Sequence, residues 1–196
     1  MYFPRKRYLD KLITHKHNNL VKVITGIRRS GKSYLLMILF HQHLVEHGVP
    51  ESHIIEISLD NRKTRNLRNP DILLDYIDKQ VQTNEQTYYV ILDEVQLVED
   101  FVEVLLGLMQ DNRLDVYVSG SNSKFLSKDV VTEFCDRGDE IRMYPLSFSE
   151  YYAVLGGDKH DAWNNYYVIA LIQKTTSGGD KHDAWNNYYT YPIRPQ

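Results

Sequence analysis

Four residues near the start of the sequence have the types and spacing needed to hold a phosphate chain: Gly26, Gly31, Lys32 and Ser33, in the order Gly-x-x-x-x-Gly-Lys-Ser. Glycines at these positions let consecutive backbone N–H groups curl around an anion. The lysine adds a positive charge for the β and γ phosphates, and the serine hydroxyl is a ligand for Mg²⁺. This is the Walker A pattern, and a chance match in a chain of this size is on the order of 1%.

The whole Walker A loop is predicted to contact a nucleotide, because it lies between an apolar strand pattern, VKVIT, and an apolar helical pattern, YLLMILF. A helix beginning at Lys32 adds the positive end of its dipole. The two loop arginines have two interpretations, contact with phosphate or exposure to solvent. The predicted nucleotide-binding residues are Gly26, Ile27, Arg28, Arg29, Ser30, Gly31, Lys32, Ser33 and Tyr34.

An acidic pair follows a second apolar run. In YYVILDEVQ, residues 88–96, Asp93 and Glu94 come where a buried strand leaves the sheet. Ligands of open α/β sheets gather at the carboxyl ends of strands, so this pair is predicted to face the nucleotide. Asp93 is the candidate partner of Mg²⁺, directly or through water, and Glu94 is the candidate base that orients an attacking water. The alternative is an acidic pair that only ends a strand.

A third polar cluster ends the run VYVSGSNS, residues 116–123. The hydroxyl of Ser121 and the amide of Asn122 are candidate contacts for the γ phosphate or the attacking water. The alternative, a Ser/Asn/Gly turn that caps the following helix, fits the same residues.

A parallel sheet with crossover helices would bring these groups together. Short apolar runs alternate with stripes of 3.6-residue period along the chain, which is the pattern of the α/β class. We count five predicted strands, at 20–25, 54–59, 88–92, 116–118 and 140–144.

Three predicted helices have start or packing signals with a physical basis. Asn69 before Pro70 and Asp71 supplies a side-chain cap, a ring suited to the first helical position, and a carboxylate at the positive end of the dipole. Ser147 and Glu150 have capping-box spacing, which predicts a helix from about Phe148. A stripe at i, i+3, i+4, i+7 and i+8 predicts one buried helical face: Phe101, Val104, Leu105, Leu108 and Met109.

Taken together, GIRRSGKSYLL, VILDEVQ, VYVSGSNS and YPLSFSEYY resemble a large group of bacterial and archaeal AAA-type ATPases. The resemblance covers about residues 1–155, including the lead-in FPRKRYLDKLI. It implies an α/β P-loop NTPase fold, a three-layer sandwich with a mostly parallel five-stranded sheet and helices on both faces. It also implies an extra strand between the Walker A and Walker B strands.

The resemblance further implies roles for individual residues. Glu94 corresponds to the catalytic carboxylate, and Arg137, in FCDRGDE at 134–140, corresponds to an arginine finger that acts on a neighbouring copy. Members of the group continue through a helical lid and a winged-helix region into a C-terminal domain. The candidate catalytic residues are therefore Glu94, Lys32, Asn122 and Arg137, and the candidate metal ligands are Ser33 and Asp93.

Charge is distributed unevenly along the 196 residues. The net charge is only −3, yet residues 1–69 hold 13 of the 23 Lys and Arg. The densest run, NRKTRNLRNP at 61–70, is interpreted either as a solvated loop or as a contact for nucleic-acid phosphates. The single cysteine forms no internal disulfide, and no signal peptide or membrane span is visible, so a cytoplasmic protein without a membrane partner is expected.

The last part of the chain contains a duplication. GGDKHDAWNNYY occurs at 156–167 and again at 178–189. The first copy predicts a helix with Ala162, Trp163, Tyr166 and Tyr167 on one side. We therefore divide the chain into an AAA-type core, 1–155, and a duplicated, loosely packed C-terminal segment, 156–196, in which at least one copy is expected to be poorly ordered.

Two metal or histidine patterns compete with the nucleotide interpretation. HLVEH at 43–47 matches an H-x-x-E-H zinc pattern on a predicted helix, although histidines in a last turn complement the helix dipole without a metal. His15 and His17 are two residues apart on a predicted helix and do not share a face.

The sequence thus predicts an ATP-binding, Mg²⁺-dependent ATPase core that couples hydrolysis to an attached or partner module. ATP is favoured over GTP because no N-K-x-D guanine motif is visible. A homo-oligomer and a nucleic acid remain open as partners. There are two alternatives. One is a nucleotide-binding remnant without turnover, and the other is a small P-loop kinase. Glu94 directly after Asp93 favours activation of water over transfer of the phosphate to a metabolite, as a kinase would require.

Overall fold

The computed structural model describes residues 3–82, 86–120 and 137–176. Its centre is a five-stranded sheet in the order β2-β3-β4-β1-β5, and every pairing between neighbours is parallel. The predicted α/β sheet is confirmed, and β4 lies between the Walker A strand and the acidic strand as expected. The strands are β1 Val21–Thr25, β2 Ile54–Ser58, β3 Tyr88–Asp93, β4 Leu114–Ser119 and β5 Gly138–Arg142.

Six helices accompany the described strands. Three consecutive segments, Lys32–Tyr34, the π-helical Leu35–Phe40, and His41–Glu46, form one rod that we call α2. The others are α1 Lys6–Thr14, α3 Pro70–Asp78, α4 Phe101–Leu108, α5 Phe148–Leu155 and α6 Lys159–Thr176. Short 3₁₀ helices occupy Glu51–His53, Arg62–Arg68 and Val95–Leu97.

The helices cover both faces of the sheet and give three layers. Neighbouring residues of a strand point to opposite faces, so Val90 packs into the cluster that contains Leu73 of α3 and Leu105 of α4. Ile91, the next residue, packs into the cluster that contains Leu36 of α2. The sheet is therefore buried on both sides, as its continuous apolar runs predict.

The predicted helix caps are present. The Asn69 side chain accepts a hydrogen bond from the Ile72 backbone N–H at 3.1 Å, with Pro70 as the first helical residue. The Ser147 hydroxyl accepts from the Glu150 N–H at 3.3 Å, and the Glu150 carboxylate accepts from the Ser147 N–H at 2.9 Å. Both caps satisfy backbone donors that a helix start leaves unpaired.

The buried faces of two helices differ in detail from the predicted ones. In α4 the fully packed residues include Val102 besides the predicted Val104, Leu105 and Leu108. In α6, Ala162 and Tyr166 pack against Tyr151 of α5, and Trp163 lies at the edge of that cluster. Tyr167, at the edge of the predicted side, is 49% exposed, so only part of that side is buried. It follows Tyr166 by one residue and lies about 100° further around the helix.

The second copy of the duplication, 178–189, lies outside the described residues.

A buried ionic cluster lies near the amino ends of the strands. Lys22 of β1 is fully buried and pairs with the carboxylate of Asp115, which also accepts from the Tyr117 hydroxyl at 2.8 Å and the His17 N–H at 3.2 Å.

The prediction that His15 and His17 lie on a helix is wrong, because α1 ends at Thr14. Within the described segments, none of the helices has the length and apolar character needed to cross a membrane.

Candidate phosphate-binding site

The Walker A loop connects the carboxyl end of β1 to the start of α2. Arg29 and Gly31 have positive φ angles, +64° and +94°, and these turn the chain sharply before the helix begins. Gly31 precedes the helix directly, so its conformation fixes where the first helical N–H groups of Lys32 and Ser33 lie. A loop of this shape ending at a helix N-terminus directs backbone donors toward one region of space, which is the arrangement that binds phosphate.

Gly26 is required by the sheet as well as by the loop. A β-carbon at this position would lie 2.3 Å from the backbone carbonyl oxygen of Met143. Met143 is held there because its N–H donates to the Thr25 carbonyl at 2.7 Å. The chain beyond β5 therefore closes against the start of the loop, and only glycine leaves room for it.

Lys32 is buried, and its ammonium is directed into the loop. Its Nζ donates to the carbonyl oxygens of Gly26 at 3.1 Å and Ile27 at 3.2 Å. Burial lowers the pKa of the Lys32 ammonium, whereas the carboxylates of Glu94 and Asp93 raise it. The loop lysine and the acidic pair thus interact electrostatically across the carboxyl edge of the sheet.

The remaining loop residues differ in exposure. Arg28 and Arg29 are exposed, Ile27 and Tyr34 are half-buried, and Ser33 is exposed at the first turn of α2. Ser30 is buried, and its hydroxyl has no hydrogen-bond partner in the described part of the chain.

Asp93 and Glu94 lie at the end of β3 in two different environments. Asp93 is 3% exposed and accepts a hydrogen bond from the Ser119 hydroxyl at the end of β4. Glu94 has a left-handed backbone, φ +57° and ψ +44°, and its N–H donates to the same Ser119 oxygen at 3.2 Å. The strand ends at the boundary between the two residues, so the Glu94 side chain leaves the sheet while the Asp93 side chain stays in it.

Two residues of the site were missed by the sequence analysis. Ser119 is one, and Gln96 is the other, because its side-chain amide donates to the Glu94 carboxylate. Gln96 is itself buried, which holds that amide in place. Ser119 ends the run VYVS in the way that Asp93 ends VILD, so aligning the ends of the two strands would have paired them.

Of the other predicted site residues, only Arg137 is among the described residues, and it lies apart from this cluster. Ser121 and Asn122 lie outside the described residues. Arg137 is exposed, and its carbonyl accepts from the Val21 N–H at 3.1 Å, at the amino end of β1. The parallel register of β1 and β5 places that point about 13 Å from the end of β1 at roughly 3.3 Å per residue. Arg137 therefore lies at the opposite edge of the sheet from the loop of its own chain.

The donor set at the loop fits Mg²⁺ better than zinc. The Ser33 hydroxyl and the Asp93 carboxylate are oxygen donors, which Mg²⁺ prefers. The zinc pattern is not supported, because the described residues contain no group of three or more His, Cys, Asp or Glu side chains placed to hold a metal. Instead, the His43 and His47 rings contact each other with centroids 3.9 Å apart, and His47 Nδ1 lies 2.7 Å from the His43 carbonyl oxygen.

Comparison with known proteins agrees with this geometry. A family model described as "AAA domain" matches residues 18–152. An uncharacterized protein from Haemophilus influenzae is 31% identical over 147 residues, which are 75% of this chain and 36% of that protein. This chain therefore spans about a third of the length of that relative.

Two solved structures share the fold at low sequence identity. The crystal structure of Cdc6p from Pyrobaculum aerophilum superposes with a TM-score of 0.56 at 13% identity, over 93% of this chain and 57% of that one. The replication initiator DnaA bound to AMPPCP and single-stranded DNA gives a TM-score of 0.51 at 12% identity, over 88% of this chain and 56% of that one. At such identities the likeness shows the fold alone.

Proposed function

Because this chain belongs to the AAA domain family, we propose that it binds ATP with Mg²⁺, hydrolyses it, and couples that hydrolysis to an attached or partner module. Membership supports a nucleotide-binding core of the ATPase type. The hydrolysis, the metal and the coupling are our inference from the site.

One observation carries the proposal: the Ser119 hydroxyl contacts both the Asp93 carboxylate and the Glu94 N–H at the edge of the sheet where the Walker A loop lies. This contact separates the two acids by role. Asp93 is fixed and buried, as suits a residue that orients a metal, and Glu94 is half-buried and lies beyond the end of the strand, as suits a residue that orients water.

The chain supplies positioning and charge for the reaction. The loop N–H groups and Lys32 would bind the β and γ phosphates, and Ser33 with Asp93 would hold Mg²⁺, which neutralises phosphate charge when bound. Glu94, held by Gln96, would accept a proton from the attacking water. Ser121 and Asn122 stay candidates for contact with the γ phosphate or that water.

Arg137 would serve a second copy of the chain. It lies at the amino edge of the sheet and is exposed, so it is available to a neighbour and remote from its own loop. An arginine supplied in this way stabilises the charge that develops on the transferred phosphate. We therefore include a homo-oligomer in the proposal.

Phosphate release measured on four variants and the parent protein tests the proposal. Lys32→Ala should weaken ATP binding, and Glu94→Gln should preserve binding and abolish release. Lys11→Ala and Glu103→Gln are matched controls, because both residues are exposed and neither belongs to the loop or to the acidic pair. Chelation of Mg²⁺ should stop release, and parallel titration with GTP should show weaker binding than with ATP.

The same measurements decide between the alternatives. If the parent protein, Lys32→Ala and Glu94→Gln all release phosphate at the same background rate, the chain is a nucleotide-binding remnant without turnover. Release that appears only when a small-molecule acceptor is added would indicate a kinase instead.

A further inference from the structure

The 3₁₀ helix Arg62–Arg68 presents a set of cations that the proposed ATPase chemistry does not use. Arg62, Lys63 and Arg65, which we call the cationic row, are all exposed. None of the three forms an ion pair with another residue in the described ranges. Seven residues is long for a 3₁₀ helix, since such runs rarely exceed three or four.

The helix type determines which side chains face outward. With three residues per turn, residues i and i+3 lie above one another. One column of this helix is anchored inward, because Thr64 donates to the Ser58 carbonyl and Leu67 is 5% exposed in the core. Arg62 and Arg65 then share an outward column, and Lys63 begins the column beside it.

The contacts of Arg68 and of the neighbouring acidic residues leave the positive charge of the cationic row unpaired among the described residues. Arg68 continues the column of Arg62 and Arg65, but its Nε donates to the Leu59 carbonyl at 2.8 Å and it is half-buried. Asp60 accepts from the Ser58 hydroxyl at 2.7 Å. Asp71 lies in the first turn of α3, where its charge complements that helix.

We propose that the cationic row binds the sugar-phosphate backbone of a nucleic acid. Residues three apart in a 3₁₀ helix are separated by about 6 Å along the axis, which is comparable with the distance between adjacent phosphates of one strand. The guanidinium group forms paired hydrogen bonds to phosphate oxygens. The stacked pair Arg62 and Arg65, with Lys63 beside it, matches the regular spacing of phosphates along a strand better than it matches the irregular carboxylates of an acidic protein.

The position of the cationic row would place a bound nucleic acid near the nucleotide. The segment follows the carboxyl end of β2, and the Walker A loop follows the carboxyl end of β1 in the same parallel sheet. Both therefore lie at one edge of the sheet. Backbone contacts carry no sequence information, so binding should depend on salt and be insensitive to base sequence.

Fluorescence anisotropy with the whole chain tests this proposal. The probes are a labelled 20-nucleotide oligothymidylate and a 20-base-pair duplex, each titrated between 50 and 200 mM salt. The triple variant Arg62→Ala/Lys63→Ala/Arg65→Ala should bind at least tenfold more weakly at the low salt. Its log–log salt slope should flatten by about 2 to 3, since each phosphate contact contributes about 0.7 on a single strand and 0.9 on a duplex.

The matched control is Lys6→Ala/Arg7→Ala/Lys11→Ala, which removes three exposed cations from α1. An equal loss in the control, no loss in the row variant, or equally effective competition by polyglutamate of the same charge would each overturn the proposal. The row variant should keep the parent's ATP affinity and thermal unfolding midpoint. Lys32→Ala should still bind the oligonucleotide, so failure of the ATPase proposal would be recognised separately.

Discussion

Ser119 and Asp93 are joined across two neighbouring strands, because the Ser119 hydroxyl donates to the Asp93 carboxylate. Both residues are buried, with 0% and 3% of their surfaces exposed. The same hydroxyl oxygen accepts from the Glu94 N–H. One small side chain on β4 thus fixes a buried charge and the backbone of the residue that follows it.

Ser119→Ala should lower the free energy of unfolding by about 1 to 3 kcal/mol, the usual cost of leaving a buried polar group without its partner. It should also reduce ATP hydrolysis more than ATP binding, since Glu94 loses its anchor. Urea denaturation and phosphate release measure the two effects. Ser58→Ala is the control, because the Ser58 hydroxyl donates to the exposed Asp60 and should cost much less. Equal losses for the two serines would contradict the role of Ser119.

Gln96→Leu should reduce hydrolysis about tenfold while ATP affinity is maintained. The Gln96 amide donates to the Glu94 carboxylate, and a hydrogen bond of about 1 to 1.5 kcal/mol corresponds to roughly that factor in rate. Gln110→Leu, on an exposed residue after α4, should have no effect. Unchanged turnover in Gln96→Leu would mean that the contact does not position Glu94 for catalysis.

Gly26→Ala should destabilise the protein by about 1 to 3 kcal/mol, the typical cost of forcing extra volume into a packed site. The added methyl would meet the Met143 carbonyl at 2.3 Å. Gly107→Ala provides the opposite control, because nothing lies within 4 Å of its added carbon and alanine favours a helix by about 1 kcal/mol. Thermal unfolding of both variants checks the prediction, and a stable Gly26→Ala protein would refute it.

Asp115→Ala should cost about 3 to 5 kcal/mol, since removing one partner leaves a buried charge without compensation. The charge is that of Lys22, which is fully buried beside Asp115. The double variant Lys22→Met/Asp115→Leu should recover part of this loss, because it removes both charges but still leaves the Tyr117 hydroxyl without its acceptor. Chemical denaturation of the three proteins tests the prediction, which fails if the double variant is as unstable as Asp115→Ala.

The sequence predicted most of the fold because its signals are local. Apolar runs located all five strands, with ends that differ by up to two residues, and Asn69 and Ser147 correctly marked two helix starts. The π-helical segment Leu35–Phe40 was not predicted, because its apolar residues also fit an α-helix.

The site was predicted less completely than the fold. The Walker A loop and the acidic pair were identified from motif spacing, whereas the contacts of Ser119 and Gln96 depend on strand order and backbone conformation. No residue pattern around Glu94 predicts its left-handed backbone conformation. In the structure the Glu94 carboxylate accepts a hydrogen bond from Gln96. The Arg137 position likewise follows from the parallel register of β5 with β1, a relationship that pattern reading does not supply.

The position of Arg137 restricts how copies of this chain could cooperate. An arginine at the amino edge that serves a phosphate loop at the carboxyl edge of another copy joins two different patches of the chain. A two-fold symmetric pair can make that contact at both of its sites only if the two copies lie antiparallel, so that each Arg137 faces the loop of the other copy. If successive copies instead all point the same way, the contact is head-to-tail, and the rotation between neighbours decides between a closed ring and a helical filament.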